Sequence, residues 1–126
     1  IAIIDKRRAA PGKSEVMNIV GSVKNKNCVI VDDIIDSGGT IVNAVNALKE
    51  KGAKDVYVYI THAVLSGEAV HRIEKSKIKK LITTDTIDNS KKIARSKKIE
   101  IISLAPMISE AMKRIANSTS VSSLFK

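Results

Sequence analysis

Short runs of isoleucine and valine alternate with helical patterns along this chain, and that alternation constrains the fold more than any other feature. The runs are mostly continuous in apolar character, which is typical of strands buried on both faces. The order of strand, helix and strand predicts an α/β fold, a parallel sheet covered by helices on both faces. The predicted strands are Ile1–Ile4, Cys28–Val31, Val56–Ile60, Leu81–Thr83 and Ile99–Leu104.

Three helices are predicted between and after these strands. The first ends at Gly52, and its apolar positions follow the spacing i, i+3, i+4, i+7: Ile41, Ala44, Val45 and Leu48. The second covers Glu68–Lys75. The third begins near Pro106, a residue suited to the first helical turn, and its apolar stripe consists of Ile108, Ala111, Met112 and Ile115.

Composition narrows the class of protein. The chain has 126 residues, enough for one domain with its own core. The formal net charge is +9, from 22 basic and 13 acidic residues, which favours an anionic partner such as nucleic acid or a phosphorylated metabolite. Aromatic residues are only 2% of the chain, so base stacking is poorly supported. The lysine-rich segments Lys75–Lys80 and Lys91–Lys98 are interpreted as solvated basic faces.

The cysteine count and the lengths of the apolar runs exclude several classes of protein. A single cysteine, Cys28, rules out an internal disulfide framework and a cysteine-based zinc site. No apolar run approaches the roughly 18 residues of a membrane span. Residue 1 is Ile, and a predicted strand opens the chain with no charged segment before it. We therefore expect a portion of a longer protein and no signal peptide.

The segment Val29–Thr40 carries the strongest chemical signal. An apolar strand runs into Asp32 and Asp33, and a turn of small residues then opens a helix. Backbone N–H groups around Gly38 and Gly39 can close on a phosphate, which the helix N-terminus also favours. Carboxylates accept hydrogen bonds, so the acids suit sugar hydroxyls or a metal. The segment therefore predicts a sugar-phosphate site.

The same segment has a simpler interpretation, a helix N-terminus capped by Asp36 or Ser37. That interpretation leaves the two preceding acids unexplained. The segment lacks the P-loop pattern and the dinucleotide pattern. A second loop, Asp5–Lys13, is expected after the first strand, on the same sheet edge. Its adjacent cations, Lys6, Arg7 and Arg8, are either a solvated basic turn or a clamp on an anion.

The Val29–Thr40 segment resembles the phosphoribosyl diphosphate motif of type I phosphoribosyltransferases: apolar strand, two acids, two apolar residues, Asp, a small residue, Gly, Gly, Thr. The resemblance implies that Asp32 and Asp33 hold ribose hydroxyls. It implies that the 5′-phosphate is held by Asp36, Ser37, Gly38, Gly39 and Thr40. Four further segments resemble the ribose-phosphate diphosphokinase family more narrowly: Ile3–Arg8, Ser14–Gly21, Thr61–Gly67 and Ser120–Phe125.

This narrower resemblance covers the whole chain and implies one phosphoribosyltransferase-like domain, residues 1–126, from the C-terminal portion of such an enzyme. The implied reaction transfers the diphosphoryl group of ATP to the 1-hydroxyl of ribose 5-phosphate and releases AMP, for nucleotide biosynthesis. Lys6 and Arg8 are the implied catalytic residues, and Arg8 also contacts ribose 5-phosphate. The implied regulatory residues are Ser120, Ser122 and Phe125; alternatively, the end of the chain is a packed tail.

The resemblance also implies cofactors and partners. Mg²⁺ is expected, with its ligands mainly in an N-terminal portion that this sequence lacks and with no metal site here. His62 and His71 are therefore not assigned as ligands. The implied partners are ATP, ribose 5-phosphate, that N-terminal portion and further copies in a hexamer-type assembly in the cytoplasm, without nucleic acid or membrane.

The chain departs from the family pattern at two places, and two other functions stay open. Ala9 and Ala10 follow the basic residues, and Asp85 stands where many members have Asn. One alternative function is a phosphoribosyltransferase acting on a nucleobase, which shares the acidic loop but does not predict the earlier basic segment. The other is a non-catalytic regulatory or RNA-binding homologue, which the net charge of +9 supports.

Overall fold

A computed structural model describes residues 3–7 and 16–125, with side chains from Ile19 to Phe125. The strands are β1 (Ile3–Arg7), β2 (Val16–Val20), β3 (Cys28–Ile35), β4 (Val56–Ala63), β5 (Lys80–Thr84) and β6 (Ile99–Ile102). The helices are α1 (Gly39–Glu50), α2 (Ala69–Lys75), α3 (Ser90–Ile93) and α4 (Ala105–Ala116), followed by a 3₁₀ turn over Ser122–Phe125.

Strands β3, β4, β5 and β6 form one parallel sheet in that order. The connections between these strands are helical: α1, α2 and α3. The predicted α/β class with a parallel sheet is therefore confirmed. Because all four strands run in the same direction, their carboxyl ends lie along one edge, where ligands bind in sheets of this type.

The core lies on one face of this sheet. Alternate residues of β4, namely Val56, Val58 and Ile60, point into it and are fully or almost fully buried. Helix α1 contributes the four apolar residues that its spacing predicts, Ile41, Ala44, Val45 and Leu48. Helix α2 adds Ala69 and Ile73 to the same cluster. The 3.6-residue periodicity of these helices therefore identifies the buried face correctly.

The opposite face of the sheet is exposed among the described residues. Val31 is 77% exposed, and Val29, Tyr59 and Ile102 are about half exposed. The prediction that helices cover both faces is therefore wrong for the part of the chain that the structure describes. The continuous apolar runs record that both faces are apolar, but they do not record which segment covers the second face.

The first predicted strand is also placed differently. β1 pairs with β2 in an antiparallel ribbon, with Ile3 opposite Val20 and Arg7 opposite Val16. This ribbon is a separate two-stranded sheet, so β1 is not a strand of the parallel sheet as predicted. β2 was not predicted, because a five-residue run interrupted by Asn18 is a weak strand signal. Ile19 of β2 packs against the core and joins the ribbon to the domain.

Several boundaries differ from the predictions. β3 continues to Ile35 instead of ending at Val31, so both adjacent acids lie within the strand. β4 continues to Ala63, and β6 ends at Ile102. The single-turn helix α3 had no periodic signal, because four residues are too few to show one.

Helix α4 forms as predicted but buries none of its residues. Three members of its predicted apolar stripe, Ile108, Met112 and Ile115, are about half to two-thirds exposed. The amphipathic pattern therefore predicts the helix but not a partner for its apolar face. In residues 3–7 and 16–125, every helix is too short or too polar to cross a membrane.

Candidate functional site

The loop between β3 and α1 lies at the carboxyl edge of the parallel sheet. Gly38 is buried and has the left-handed conformation, with φ of 77° and ψ of −1°. It occupies the N-cap position of α1, and no side chain caps the helix by a hydrogen bond. The alternative in which Asp36 or Ser37 serves as the side-chain cap is therefore wrong. The first N–H groups of a helix have no partner within it, so α1 presents free donors at this edge.

The two adjacent glycines of this loop have different surroundings. A Cβ on Gly38 would lie 3.7 Å from Ile35 Cδ1 and 3.8 Å from Ile73 Cγ1, against the core. A Cβ on Gly39 would meet only Ser37 Oγ, at 4.0 Å. Gly38 is therefore required by the backbone conformation, whereas Gly39 leaves open space beside the start of α1. That space can admit a ligand close to the backbone.

The three carbonyl groups that precede Gly38 are all bound by the segment from β4 to α2. Val64 N–H donates to Ile35 O at 2.9 Å, and Ser66 N–H donates to Asp36 O at 3.2 Å. The guanidinium of Arg72 donates to Ser37 O. These contacts join positions about 30 residues apart, and no local sequence pattern indicates them.

The acidic residues of the segment are exposed at the same edge. Asp32 and Asp33 are consecutive residues of β3, and the register with β4 pairs Asp32 with Ile60 and Ile34 with His62 but gives Asp33 no partner. Asp33 N–H donates to Asp32 Oδ1 at 2.9 Å. Asp36 and Thr40 are also exposed, on either side of the glycines. The structure thus places these acids and the free helix start on one edge, and their binding role stays a prediction.

The neighbouring strand ends carry a polar cluster that sequence analysis missed. His62 lies opposite Ile34 in the register of β3 and β4. Its Nδ1 lies 2.9 Å from Thr86 Oγ1, and the hydroxyls of Thr84 and Thr86 both donate to Thr61 O. His62 thus lines the carboxyl edge. His71, by contrast, is exposed on α2, as expected of a surface residue.

Asp85 has a structural role that the sequence did not indicate. It follows β5 and accepts hydrogen bonds from the Ser103 hydroxyl and from Leu104 N–H, the latter at 2.9 Å. These donors hold the pKa of Asp85 below its ordinary value, because they stabilise the ionised carboxylate. Asp85 therefore links the end of β5 to the start of α4.

The basic segment predicted beside this site falls partly outside the described residues. Lys6 belongs to β1, where it pairs with Met17, and is not in a loop. The prediction that Asp5–Lys13 is a loop at the carboxyl edge of the parallel sheet is wrong for its first three residues, which belong to the antiparallel ribbon. Arg8, Ala9 and the rest of the predicted loop lie outside the described residues. Lys6 and the glycine loop therefore do not lie at the edge of the same sheet.

The end of the chain forms a small polar cluster. Ser120 Oγ and Ser122 Oγ lie 2.9 Å apart, and Arg114 donates to Ser120 O at 3.1 Å. Phe125 is 73% exposed, so the alternative of a tail that packs this ring is wrong within the described part of the chain. Leu124 is only half-buried. The structure brings the two serines together and leaves the aromatic ring in solvent.

Among the residues whose side chains are described, no group of three His, Cys, Asp or Glu could hold a metal ion. The acids of the glycine loop are spread along a strand and a turn. A complete protein cage for Mg²⁺ is therefore not formed by residues 19–125. Mg²⁺ commonly keeps several waters and uses only one or two carboxylates together with substrate phosphates.

Comparison with known proteins identifies the family. The model of the phosphoribosyl synthetase-associated domain matches residues 5–126. The chain belongs to this family. Two similar proteins are ribose-phosphate pyrophosphokinases. The one from Clostridium tetani is 58% identical over 99% of this chain, and the one from Hyphomonas neptunium is 54% identical over 99% of it. The chain spans 39% and 40% of the length of those two relatives, respectively.

A solved structure has the same fold as this chain. Phosphoribosylpyrophosphate synthetase from Mycobacterium smegmatis superimposes with a TM-score of 0.80 at 37% identity. The match covers 93% of this chain and 37% of the other. The family resemblance stated from sequence motifs is therefore confirmed, as is the fold class.

Proposed function

We propose that this chain is the C-terminal portion of a ribose-phosphate diphosphokinase and forms a single phosphoribosyltransferase-like domain. In the proposed reaction the 1-hydroxyl of ribose 5-phosphate attacks the β-phosphorus of ATP. The bond between the α-phosphate and the β-phosphate breaks, AMP leaves, and 5-phosphoribosyl 1-diphosphate is formed. The names of relatives that are more than 50% identical support this reaction class.

The loop between β3 and α1 is the observation that carries the proposal. It combines a left-handed Gly38, an open space at Gly39 and the free N–H groups of a helix start. These features suit the dianionic 5′-phosphate of a sugar, because backbone donors and the helix N-terminus both favour negative charge. Exposed Asp32 and Asp33 precede this loop and suit the ribose hydroxyls, which donate to carboxylates.

The assignment of the remaining residues follows from the resemblance. Asp36, Ser37 and Thr40 complete the phosphate site in this proposal. Lys6 and Arg8 act on the transferring diphosphoryl group, where cations offset developing negative charge. Ser120, Ser122 and Phe125 contribute to a regulatory anion site; the contact of Arg114 with Ser120 O places a cation beside them.

The proposal includes one cofactor and several partners. Mg²⁺ accompanies ATP, and its protein ligands lie mainly outside this chain. The N-terminal portion of the same enzyme and further copies, in a hexamer-type homo-oligomer, are the protein partners. The exposed apolar residues of the sheet and of α4, such as Val31 and Ile115, supply surface for such contacts. A cytoplasmic location is proposed, consistent with a chain that has a single cysteine.

The test is product analysis with the full-length gene product. We expect ATP and ribose 5-phosphate to yield AMP in equal amount to 5-phosphoribosyl 1-diphosphate. The isolated 126-residue chain should bind ribose 5-phosphate but give no turnover, because the proposed ATP and metal contacts lie elsewhere. Release of diphosphate on addition of a nucleobase, without AMP formation, would instead identify a phosphoribosyltransferase. AMP formation by the isolated chain would contradict the proposed division of the site.

A further inference from the structure

The glycine loop is held from behind by residues that the proposed reaction does not use. The carbonyl groups of Asp36 and Ser37 are bound by Ser66 N–H and by the Arg72 guanidinium, respectively. Ile73, the residue after Arg72, lies directly beneath Gly38, within 3.8 Å of where a Cβ would be. One turn of α2 and the segment before it therefore fix the path of the loop.

These contacts determine where the N–H groups of the loop point. In a planar trans peptide the carbonyl and the N–H of the next residue point in opposite directions. When Arg72 binds Ser37 O, the N–H of Gly38 is directed away from α2. When Ser66 N–H binds Asp36 O, the N–H of Ser37 is likewise directed away from Ser66. The Ser37 carbonyl is turned toward α2 and the Asp36 carbonyl toward the segment before it, so their negative ends are kept from an anion at the open side of the loop.

Arg72 differs from the other basic residues of α2 in this respect. Its guanidinium spans 35 residues of sequence to reach a backbone carbonyl of the loop. Lys75, one turn further along the same exposed surface, makes no hydrogen bond to the loop in the part of the chain that the structure describes. Arg72 and Lys75 both line a groove of about 440 Å³ beside α2. The two residues thus share charge and exposure but not the contact.

We propose that Arg72 is a positioning residue for the phosphate loop: by binding Ser37 O it orients the peptide that presents Gly38 N–H to the phosphate. This inference rests on the proposed sugar-phosphate function of the loop. It adds a residue outside the Asp32–Thr40 segment to the site. Arg72 acts through the backbone and does not need to contact the ligand.

The experiment compares three variants of the full-length gene product by calorimetry with ribose 5-phosphate and with inorganic phosphate. Arg72→Met removes the donors and should weaken both ligands about fivefold to tenfold, the effect of losing one hydrogen bond of ordinary net strength at an exposed position. Arg72→Lys keeps a donor and should recover part of the loss. Lys75→Met removes the same charge one turn away and should change either affinity by less than about twofold, because exposed charges are screened.

Two further readouts separate positioning from stability and from the proposed function. In the kinetic assay Arg72→Met should raise KM for ribose 5-phosphate with little change in kcat or in KM for ATP. Amide hydrogen exchange at Val64 and Ser66, whose N–H groups donate to Ile35 O and Asp36 O of the loop, should accelerate in Arg72→Met and not in Lys75→Met when it is measured without ligand. Failure of the unmodified protein to bind ribose 5-phosphate would overturn the proposed function, while accelerated exchange confined to Arg72→Met would still support the positioning role. Equal effects of Arg72→Met and Lys75→Met on binding and exchange would overturn the positioning role of Arg72.

Discussion

The glycine loop after β3 and the antiparallel ribbon of β1 and β2 are joined to the domain in different ways. The loop is bound at successive carbonyls from α2 and the segment before it, and Gly38 rests on the core. The ribbon forms its own two-stranded sheet and packs against the core through Ile19 of β2. A group that binds substrate in its ground state benefits from a fixed frame. A group that acts on charge in the transition state can be carried by a separate element.

The largest effect is expected for the cation on the ribbon. Lys6→Ala in the full-length gene product should lower kcat on the order of 10²–10³-fold while KM values change little, because the ammonium acts on charge that develops during transfer. Arg8→Ala should behave similarly. Arg7→Ala is the control and should cost much less, because adjacent residues of an extended strand face opposite sides. AMP release at saturating substrate measures all three; an Arg7→Ala loss equal to that of Lys6→Ala would contradict the assignment.

The next effect concerns ligand binding at the loop. Gly39→Val should weaken ribose 5-phosphate binding about 100-fold, because the new side chain would occupy the space beside the helix start where the phosphate is proposed to lie. Unfolding should change little, since the nearest protein atom to an added Cβ is Ser37 Oγ at 4.0 Å. Asn43→Val, an exposed position one turn further along α1, is the matched control. Unchanged affinity of Gly39→Val in calorimetry would exclude the phosphate from this space.

The neighbouring glycine should show the reverse behaviour. Gly38→Ala should lower the free energy of unfolding by about 1–2 kcal/mol, because alanine in the left-handed conformation carries a steric penalty. Gly39→Ala should leave stability nearly unchanged. Denaturant unfolding of both variants makes the comparison within one loop. A Gly38→Ala variant as stable as the unmodified protein would show that the loop is not held in the conformation that its contacts define.

The smallest expected effect is a pH dependence of stability, which arises at Glu74 of α2, the helix that supports the loop. Burial raises the pKa of Glu74 on α2, but hydrogen bonds from Ser96, Lys98 N–H and Lys97 N–H outweigh it and lower the pKa below 4.5. A lowered pKa means that the carboxylate contributes stability above the unfolded-state value, and this stability is lost as the pH falls through the folded-state value. Acid should therefore weaken the attachment of α2.

Glu74→Gln tests this expectation. The variant should be less stable than the unmodified protein at neutral pH, and the difference should shrink as the pH falls below about 4.5. Unfolding by denaturant at a series of pH values provides the measurement. Part of the acid sensitivity should persist in Glu74→Gln, because Asp85 also has a lowered pKa. A stability difference that does not depend on pH would show that Glu74 acts by packing and not by charge.

Local sequence patterns predicted helix α1 and the glycine loop but not the distant contacts that hold the loop. The spacing of Ile41, Val45 and Leu48 predicts both α1 and its buried face, because helical periodicity places these residues on one side of the helix. The pair Gly38 and Gly39 indicates an unusual backbone after β3, since glycine alone adopts the left-handed conformation without penalty. The sequence predicts the loop, but not that Arg72 and Ser66 bind its carbonyls.

The sequence by itself determined the parallel α/β class, helix α1 and the position of the glycine loop, because each depends on residues that are neighbours along the chain. Only the tertiary structure decided that β1 pairs with β2, that Ile108 and Met112 of α4 stay exposed, and that Arg72 reaches Ser37 O. The physical reason is that an apolar stripe or a cation specifies what it can bind, whereas its actual partner is set by the three-dimensional arrangement of distant segments.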